Sequence, residues 1–394
     1  MLKENGFLIK FHLAEDTIDT EDIARLIQWL QTNPRLTKGK VTVDFQDKWS
    51  QWIGRSYSVN CNSGSSANLL MYYALLLSGK LKNKKVIVPS VGWVTSIAPA
   101  IQFGFEPVMC EADSDTFGLD LDHLESLVKE HKPSTVLMVQ VLGVPHKMDA
   151  MLELKNKYGF FLLEDACAAI GASYKGKKVG SFGDMASFSF YFGHQMSTIE
   201  GGMVSTDDAT FKNLLLMIRS HGWSKDLDER DHQSLIEQHH IDDFHTPFVF
   251  YEPGFNLRST DLNAFIGIGQ LEKLDWMTFR RQENHSYYMQ QLGDIFSVQR
   301  CESECQVASI SFGLLAEDEA QRKRIVAALV QNGIETRIFS AGNLGLHPFW
   351  ANRYGTTRFP MADRIHQCGL FLPNNPSLNE DSLAFISQTV LKAL

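Results

Sequence analysis

Two adjacent acids close an apolar run at Phe160-Phe161-Leu162-Leu163-Glu164-Asp165-Ala166. A carboxylate at the end of a buried strand is costly unless a positive group faces it. A protonated pyridine nitrogen is one group that would serve, and capping of a following helix by Asp165 is the plainer alternative. A second segment, Asn62-Ser63-Gly64-Ser65-Ser66-Ala67-Asn68, sets small residues directly before an apolar helical run over residues 69–77. Backbone N–H groups at such a helix start can approach a phosphate; an ordinary helix cap uses the same residues. In a third, Val86-Ile87-Val88-Pro89-Ser90-Val91-Gly92-Trp93, an apolar strand stops at a proline and presents an aromatic just beyond. Ligands of open parallel sheets bind at that end, so Trp93 either lies flat on an aromatic ligand or packs into the core. The fourth segment runs Ser187-Phe188-Ser189-Phe190-Tyr191-Phe192-Gly193-His194-Gln195 and on to Glu200-Gly201-Gly202. Each segment alone is weak, and together they fit one phosphorylated aromatic cofactor.

The elements that would position these residues are legible in the hydrophobic pattern. Short apolar runs at residues 85–88, 107–110, 135–139, 160–163, 186–190 and 202–205 alternate with helical patterns. That is the signature of an α/β domain with a mainly parallel sheet covered on both faces. A helical pattern at residues 20–31 precedes it and is expected to pack outside the sheet. Beyond Gly269 a helix over residues 270–292 leads into a strand, helix and strand at 308–314, 320–332 and 335–339. The expected division is a large domain over residues 1–269 and a smaller C-terminal domain over 270–394. The hydrophilic stretch 223–245 is expected to be a long loop.

The chain has 394 residues, a formal charge of −9, 44% hydrophobic and 21% charged residues. This is an ordinary globular composition without the clustered basic residues that nucleic acid requires. No apolar run approaches the roughly 18 residues of a membrane span, and the opening residues soon reach Glu15, Asp16 and Asp19, unlike a secretory signal. A cytoplasmic protein with reduced thiols is expected. Cys301 and Cys305 have no second pair at zinc spacing, and His232, His239, His240 and His245 match no metal motif, so no metal site is expected.

The order of the four segments resembles the sugar aminotransferase family DegT/DnrJ/EryC1/StrS. The resemblance continues through Arg219-Ser220-His221-Gly222-Trp223, Gly254-Phe255-Asn256-Leu257-Arg258 and Gly333-Ile334-Glu335-Thr336-Arg337. It implies an aspartate-aminotransferase-like fold (fold type I) with a seven-stranded sheet, pyridoxal 5′-phosphate or pyridoxamine 5′-phosphate as cofactor, and a homodimer with shared active sites. On that resemblance Trp93 stacks on the cofactor ring and Asp165 faces its nitrogen. Gly64, Ser65, Ser66 and Ser189 hold the phosphate, and Asn256 reaches it from the other subunit.

One departure bears on the chemistry. Six residues before the Glu-Gly-Gly, where the family usually has the lysine that binds the cofactor covalently, stands His194. Imidazole can shuttle protons near neutral pH but cannot replace that covalent link. The histidine resembles the branch of the family that makes 3-deoxy sugars, the 4-keto-6-deoxyhexose 3-dehydratases. That branch is expected to carry a second histidine after the first and an acid three places after the strand-end aspartate; here the positions hold Gln195 and Ala168. The expected activity is therefore transfer of an amino group from L-glutamate, released as 2-oxoglutarate, to a keto or aldehyde sugar such as an 8-oxo-3,8-dideoxy-octulosonate of lipopolysaccharide. Dehydration, or a catalytically silent relative, are the alternatives, and a histidine engineered in place of lysine would imply an ordinary aminotransferase. Arg337, Arg258 and His221 are candidates for gripping the substrate carboxylate or hydroxyls, or else for structural ion pairs.

Overall fold

Seven short strands form the central sheet: β1 (Tyr57–Cys61), β2 (Lys85–Pro89), β3 (Glu106–Cys110), β4 (Thr135–Val139), β5 (Phe161–Asp165), β6 (Met185–Ser189) and β7 (Gly202–Thr206). They lie in the order β1-β7-β6-β5-β4-β2-β3, and all pair parallel except β7, which runs antiparallel to β6 and to β1. The computed structural model describes the backbone of residues 3–4 and 7–8 and the whole of residues 9–394. Met1, Leu2, Asn5 and Gly6, part of the opening read above for export, lie outside the described residues.

Alternation along the strands explains why they read as continuous apolar runs. Val86, Val88, Leu137 and Leu163 point to one face, against the helices Gly64–Leu77 and Ala209–Arg219. Ile87, Val136, Met138 and Leu162 point to the other, against Leu121–His131 and Met148–Tyr158. With both faces covered, neither set can be polar. The helix Thr20–Gln31 lies where expected. A second helix, Lys40–Ile53, was not foreseen; its Phe45 and Trp49 are fully buried, with Trp49 edge-on to Phe188 and Phe190 at ring separations of 5.0 Å.

The helix Asp261–Leu292 is continuous over 32 residues, so the boundary expected between residues 269 and 270 falls inside it. Its first half packs on Lys40–Ile53 and its second on the C-terminal helix Glu380–Leu391. The smaller lobe is an antiparallel sheet of β8 (Ser297–Val298), β9 (Ser311–Leu315) and β10 (Gly369–Pro373), with the helices Glu319–Gln331, Pro360–Cys368 and Glu380–Leu391 packed on it.

Two expectations need correction. The strand expected at 335–339 does not form, and β10 takes its place in the sheet. The Glu335 N–H is spent on the Phe11 carbonyl, only Ile338 bridges Leu370, and Ser340 (φ +48°) then turns the chain aside. The stretch 223–245 is not one loop, for it contains the helix Glu229–His239, capped by Asp228 accepting from the Asp231 N–H. None of this helix is buried, so it lacks the apolar stripe by which helices are recognised. Among the described residues no helix is long and apolar enough to cross a membrane, and no three His, Cys, Asp or Glu side chains converge as metal ligands.

Candidate active site

The parallel strands β1, β2, β4, β5 and β6 all point their C-terminal ends at one cavity of about 450 Å³, walled on its far side by Ile310, Arg337, Ser340 and Phe371 of the C-terminal half. Of the residues singled out from sequence, Gly64, Ser65, Trp93, Asp165, Ser189, His194 and Arg337 line it.

After β1 the chain turns at Ser63, whose Oγ accepts the Ser66 N–H at 3.0 Å and starts the helix Gly64–Leu77. The first-turn N–H groups of a helix have no partners within it, which leaves those of Gly64 and Ser65 at the cavity edge. A Cβ on Gly64 would lie 2.4 Å from Cβ and 2.9 Å from Oγ of Ser189; glycine there lets the helix start and the end of β6 close into one cradle. Gly202, opening β7, is needed for the same closeness, since a Cβ would come within 2.2 Å of the Ser63 carbonyl oxygen. Ser66 does not line the cavity; its N–H and hydroxyl both bond the Ser63 hydroxyl.

The paired acids at the end of β5 separate cleanly. Glu164 is fully buried away from the cavity and accepts from the backbone N–H groups of Gly180, Phe182 and Gly183 at 3.0, 2.8 and 2.5 Å. Asp165 faces the cavity. Its Oδ2 accepts from Asn68 Nδ2 at 2.8 Å and Ser96 Oγ at 2.5 Å, and its Oδ1 from the Cys167 N–H at 3.1 Å. Asn68 is itself oriented, because its Oδ1 accepts from the Ser187 hydroxyl at 2.7 Å. Among the described residues neither acid has a cationic side-chain partner, so Asp165 is a buried carboxylate with capacity left for a cation entering the cavity.

Trp93 stands at the start of the helix Val94–Gln102 and keeps 51% of its surface exposed, a flat face turned to the cavity rather than a core residue. The Arg337 guanidinium lies 5.5 Å from its ring centre and donates to the Ser340 carbonyl. His194 sits on the loop between β6 and β7, its ring 6.1 Å from that of Tyr191, and its buried Nδ1 has no hydrogen-bond partner among the described residues. Burial pushes its pKa down to about 4, the charge of Arg281 adding to the fall and Asp165 opposing it. The imidazole is thus an uncharged proton acceptor at neutral pH. Gln195 is buried and points elsewhere: its Nε2 donates to the carbonyls of Ala168 and Ala308 at 2.7 and 2.6 Å.

Asn256, His221 and Arg258 do not line this cavity. His221 and Arg258 instead flank Trp223, the His221 ring meeting it edge-on at 5.0 Å and Arg258 lying 5.6 Å from its ring centre, while the backbone of Asn256 pairs with Ser220. The sequence reading missed Asn68 and Ser96, although polar side chains in the opening turns of two otherwise apolar helices were a usable signal. It also missed Arg281, Ile310 and Phe371, which come to the site only through the tertiary fold.

This arrangement fits a phosphorylated pyridine ring: a glycine-dependent cradle of N–H and hydroxyl groups, an aromatic platform, and a carboxylate set for a ring cation. Comparison with known proteins agrees. The chain is 34% identical over 341 residues to GDP-4-keto-6-deoxy-D-mannose 3-dehydratase of Yersinia pseudotuberculosis, covering 85% of this chain and 86% of the relative. It is 26% identical over 355 residues to GDP-perosamine synthase of Escherichia coli O157:H7, covering 90% of each. Among solved structures it is similar to E. coli GDP-4-keto-6-deoxy-D-mannose-3-dehydratase with bound hydrated PLP, with a TM-score of 0.88 and 27% identity over 98% of this chain and all of that one. The profile of the DegT/DnrJ/EryC1/StrS aminotransferases matches residues 16–391, and the chain belongs to that family.

Proposed function

We propose that this enzyme transfers the amino group of L-glutamate to a keto or aldehyde sugar in the biosynthesis of bacterial surface sugars, with His194 moving the proton. Pyridoxal 5′-phosphate is its cofactor. When bound, it supplies the electron sink for the reacting carbon and carries the amino group between donor and acceptor.

The chain's own residues do the rest. Gly64, Ser65 and Ser189 hold the phosphate, with Ser66 fixing the cap that shapes their turn. Trp93 covers one face of the ring, and Asp165 accepts the hydrogen bond of the ring nitrogen. With the cofactor bound, His194 would be the group that takes up the proton from the amino-acid α-carbon and returns it, and that runs the same exchange in reverse on the sugar. Arg337, a cation at the cavity wall that has no carboxylate partner among the described residues, grips the donor carboxylate. Asn256, His221 and Arg258, which lie outside this cavity, serve the cavity of a second copy in a homodimer.

The observation that favours transfer over hydroxyl loss is that neither of the two positions at which the dehydratase branch is expected to carry an additional proton-transferring group, 168 and 195, offers a free proton donor to the cavity. A donor at either position would assist a departing hydroxyl. Ala168 presents only a methyl group at the cavity wall, and the Gln195 amide is spent on two carbonyls. Dehydration remains the second reading, supported by the similarity to the 3-dehydratases. An 8-oxo-3,8-dideoxy-octulosonate belongs to the acceptor class proposed.

The test adds L-glutamate to cofactor-loaded enzyme, follows the visible spectrum to the pyridoxamine form, then supplies candidate sugars and weighs the products. A nitrogen-containing sugar supports transfer; a deoxy sugar with released ammonia refutes it in favour of dehydration. His194→Asn is expected to lower turnover by about 10²–10⁴-fold with little change in cofactor binding, and a normal rate in that variant refutes the role of the histidine.

A further inference from the structure

We propose that Arg281 is a positioning residue for His194, its guanidinium clamping the backbone of two cavity-lining residues from inside the helix Asp261–Leu292. This rests on His194 being the proton shuttle.

Arg281 is 1% exposed, and among the described residues it has no carboxylate partner. All its hydrogen bonds go to main-chain carbonyls: Nη1 to Asn374 at 2.5 Å and Ile310 at 3.2 Å, and Nη2 to His194 at 3.3 Å. Ile310 and His194 lie on opposite halves of the chain and both line the cavity. The next residue, Gln195, is tied to Ala168 and Ala308, so the loop carrying the imidazole is fastened at two consecutive positions.

A buried guanidinium without a counter-ion is an expensive way to hold three carbonyls, because its charge has lost water and gained no anion. Its placement has a second effect. Its charge also disfavours the imidazolium of His194, adding to the effect of burial. Other groups around His194 are Asp165, which favours protonation, Ser189, the Tyr191 ring, and the cavity-lining Cys167, Glu200 and Arg337. On the helix next to Arg281, the buried His285 has its pKa pushed down to about 4 and carries no charge at neutral pH. Arg281 is thus the cation that opposes protonation of His194, and Asp165 the anion that favours it.

The test is histidine-selective ¹⁵N NMR of the cofactor-free protein, with the His194 signal assigned by its loss in His194→Asn. In Arg281→Met the His194 titration midpoint is expected to rise by about one pH unit. In Arg281→Lys, which keeps the charge but not the fork of donors, the midpoint is expected to stay near its original value. The glutamate half-reaction of that variant should nevertheless slow about tenfold or more, with the KM for glutamate little changed. An unmoved midpoint in folded Arg281→Met overturns the electrostatic part of the proposal. An unimpaired rate in Arg281→Lys overturns the clamp, and this second variant keeps the proposal testable should the methionine variant not fold. Normal turnover in His194→Asn would instead remove the proton-shuttle reading and leave the midpoint shift standing.

Discussion

Replacing Asp165 by asparagine changes one atom and should disable the site, because the surrounding donors dictate how the new amide must sit. In the native chain Oδ2 takes bonds from Asn68 Nδ2 at 2.8 Å and Ser96 Oγ at 2.5 Å. Asn68 cannot turn to offer an acceptor without giving up the Ser187 hydroxyl that its Oδ1 holds. The amide oxygen is therefore forced into the Oδ2 position, and the NH₂ group lies at Oδ1. There it points a donor at the Cys167 N–H, 3.1 Å from the native Oδ1, and it cannot accept a hydrogen bond from a ring nitrogen. A charge-assisted hydrogen bond contributes about 1.5–3 kcal/mol net, which corresponds to roughly 10–150-fold in cofactor affinity. The half-reaction with glutamate should lose about 100-fold or more, because the charge that Asp165 stabilises counts most in the transition state. Equilibrium dialysis of the cofactor against cofactor-free protein gives the first number, and single-turnover absorbance the second. A folded Asp165→Asn protein that binds the cofactor within about threefold of the original and reacts at a similar rate would refute the ring-nitrogen assignment, since the hydrogen bond at issue is worth at least tenfold.

Two further outcomes follow from the same geometry. Gly64→Ala puts a methyl 2.4 Å from the Ser189 Cβ, a clash no rotamer relieves. It should cost about 1–3 kcal/mol of stability along with cofactor affinity, and adding Ser189→Gly should recover much of the stability in a urea melt; no recovery would place the clash elsewhere. Buried His285, 8% exposed and with a pKa pushed down to about 4 by burial, binds a proton in the unfolded chain near pH 6.5 but not in the folded one. Its contribution to stability is thus present above that pH and lost as pH falls toward 4, by about 2 kcal/mol at pH 5 and about 3 kcal/mol in full. Urea midpoints at pH 7 and pH 5 should fall less in His285→Asn than in the original, and an equal fall refutes this.

The central sheet was legible because helices cover both its faces, so strands such as β4 are apolar at nearly every position. The helix Lys40–Ile53 escaped notice because half of its buried face is polar, Thr42, Gln46 and Ser50 lying beside Phe45, Trp49 and Ile53, which weakens the apolar stripe. Glu229–His239 escaped for the opposite reason, having no buried side to mark it. Within the cavity, the residues that were readable follow strand ends, where chain order and spatial order coincide. Asp165 could be picked out from Glu164 only by resemblance, because the N–H groups that neutralise Glu164 come from residues 180–183 on a separate turn. Arg281 gave no signal at all: it lies in a polar run of a long helix, and only the fold shows that its charge is enclosed.

The continuous helix Asp261–Leu292 also constrains how the molecule moves. At about 1.5 Å per residue it is a rod of roughly 48 Å, seated at one end against Lys40–Ile53 and at the other against Glu380–Leu391. Such a rod transmits load between the lobes and leaves no flexible joint at residue 269. A cut at that position would therefore break a shared beam instead of releasing two independent halves.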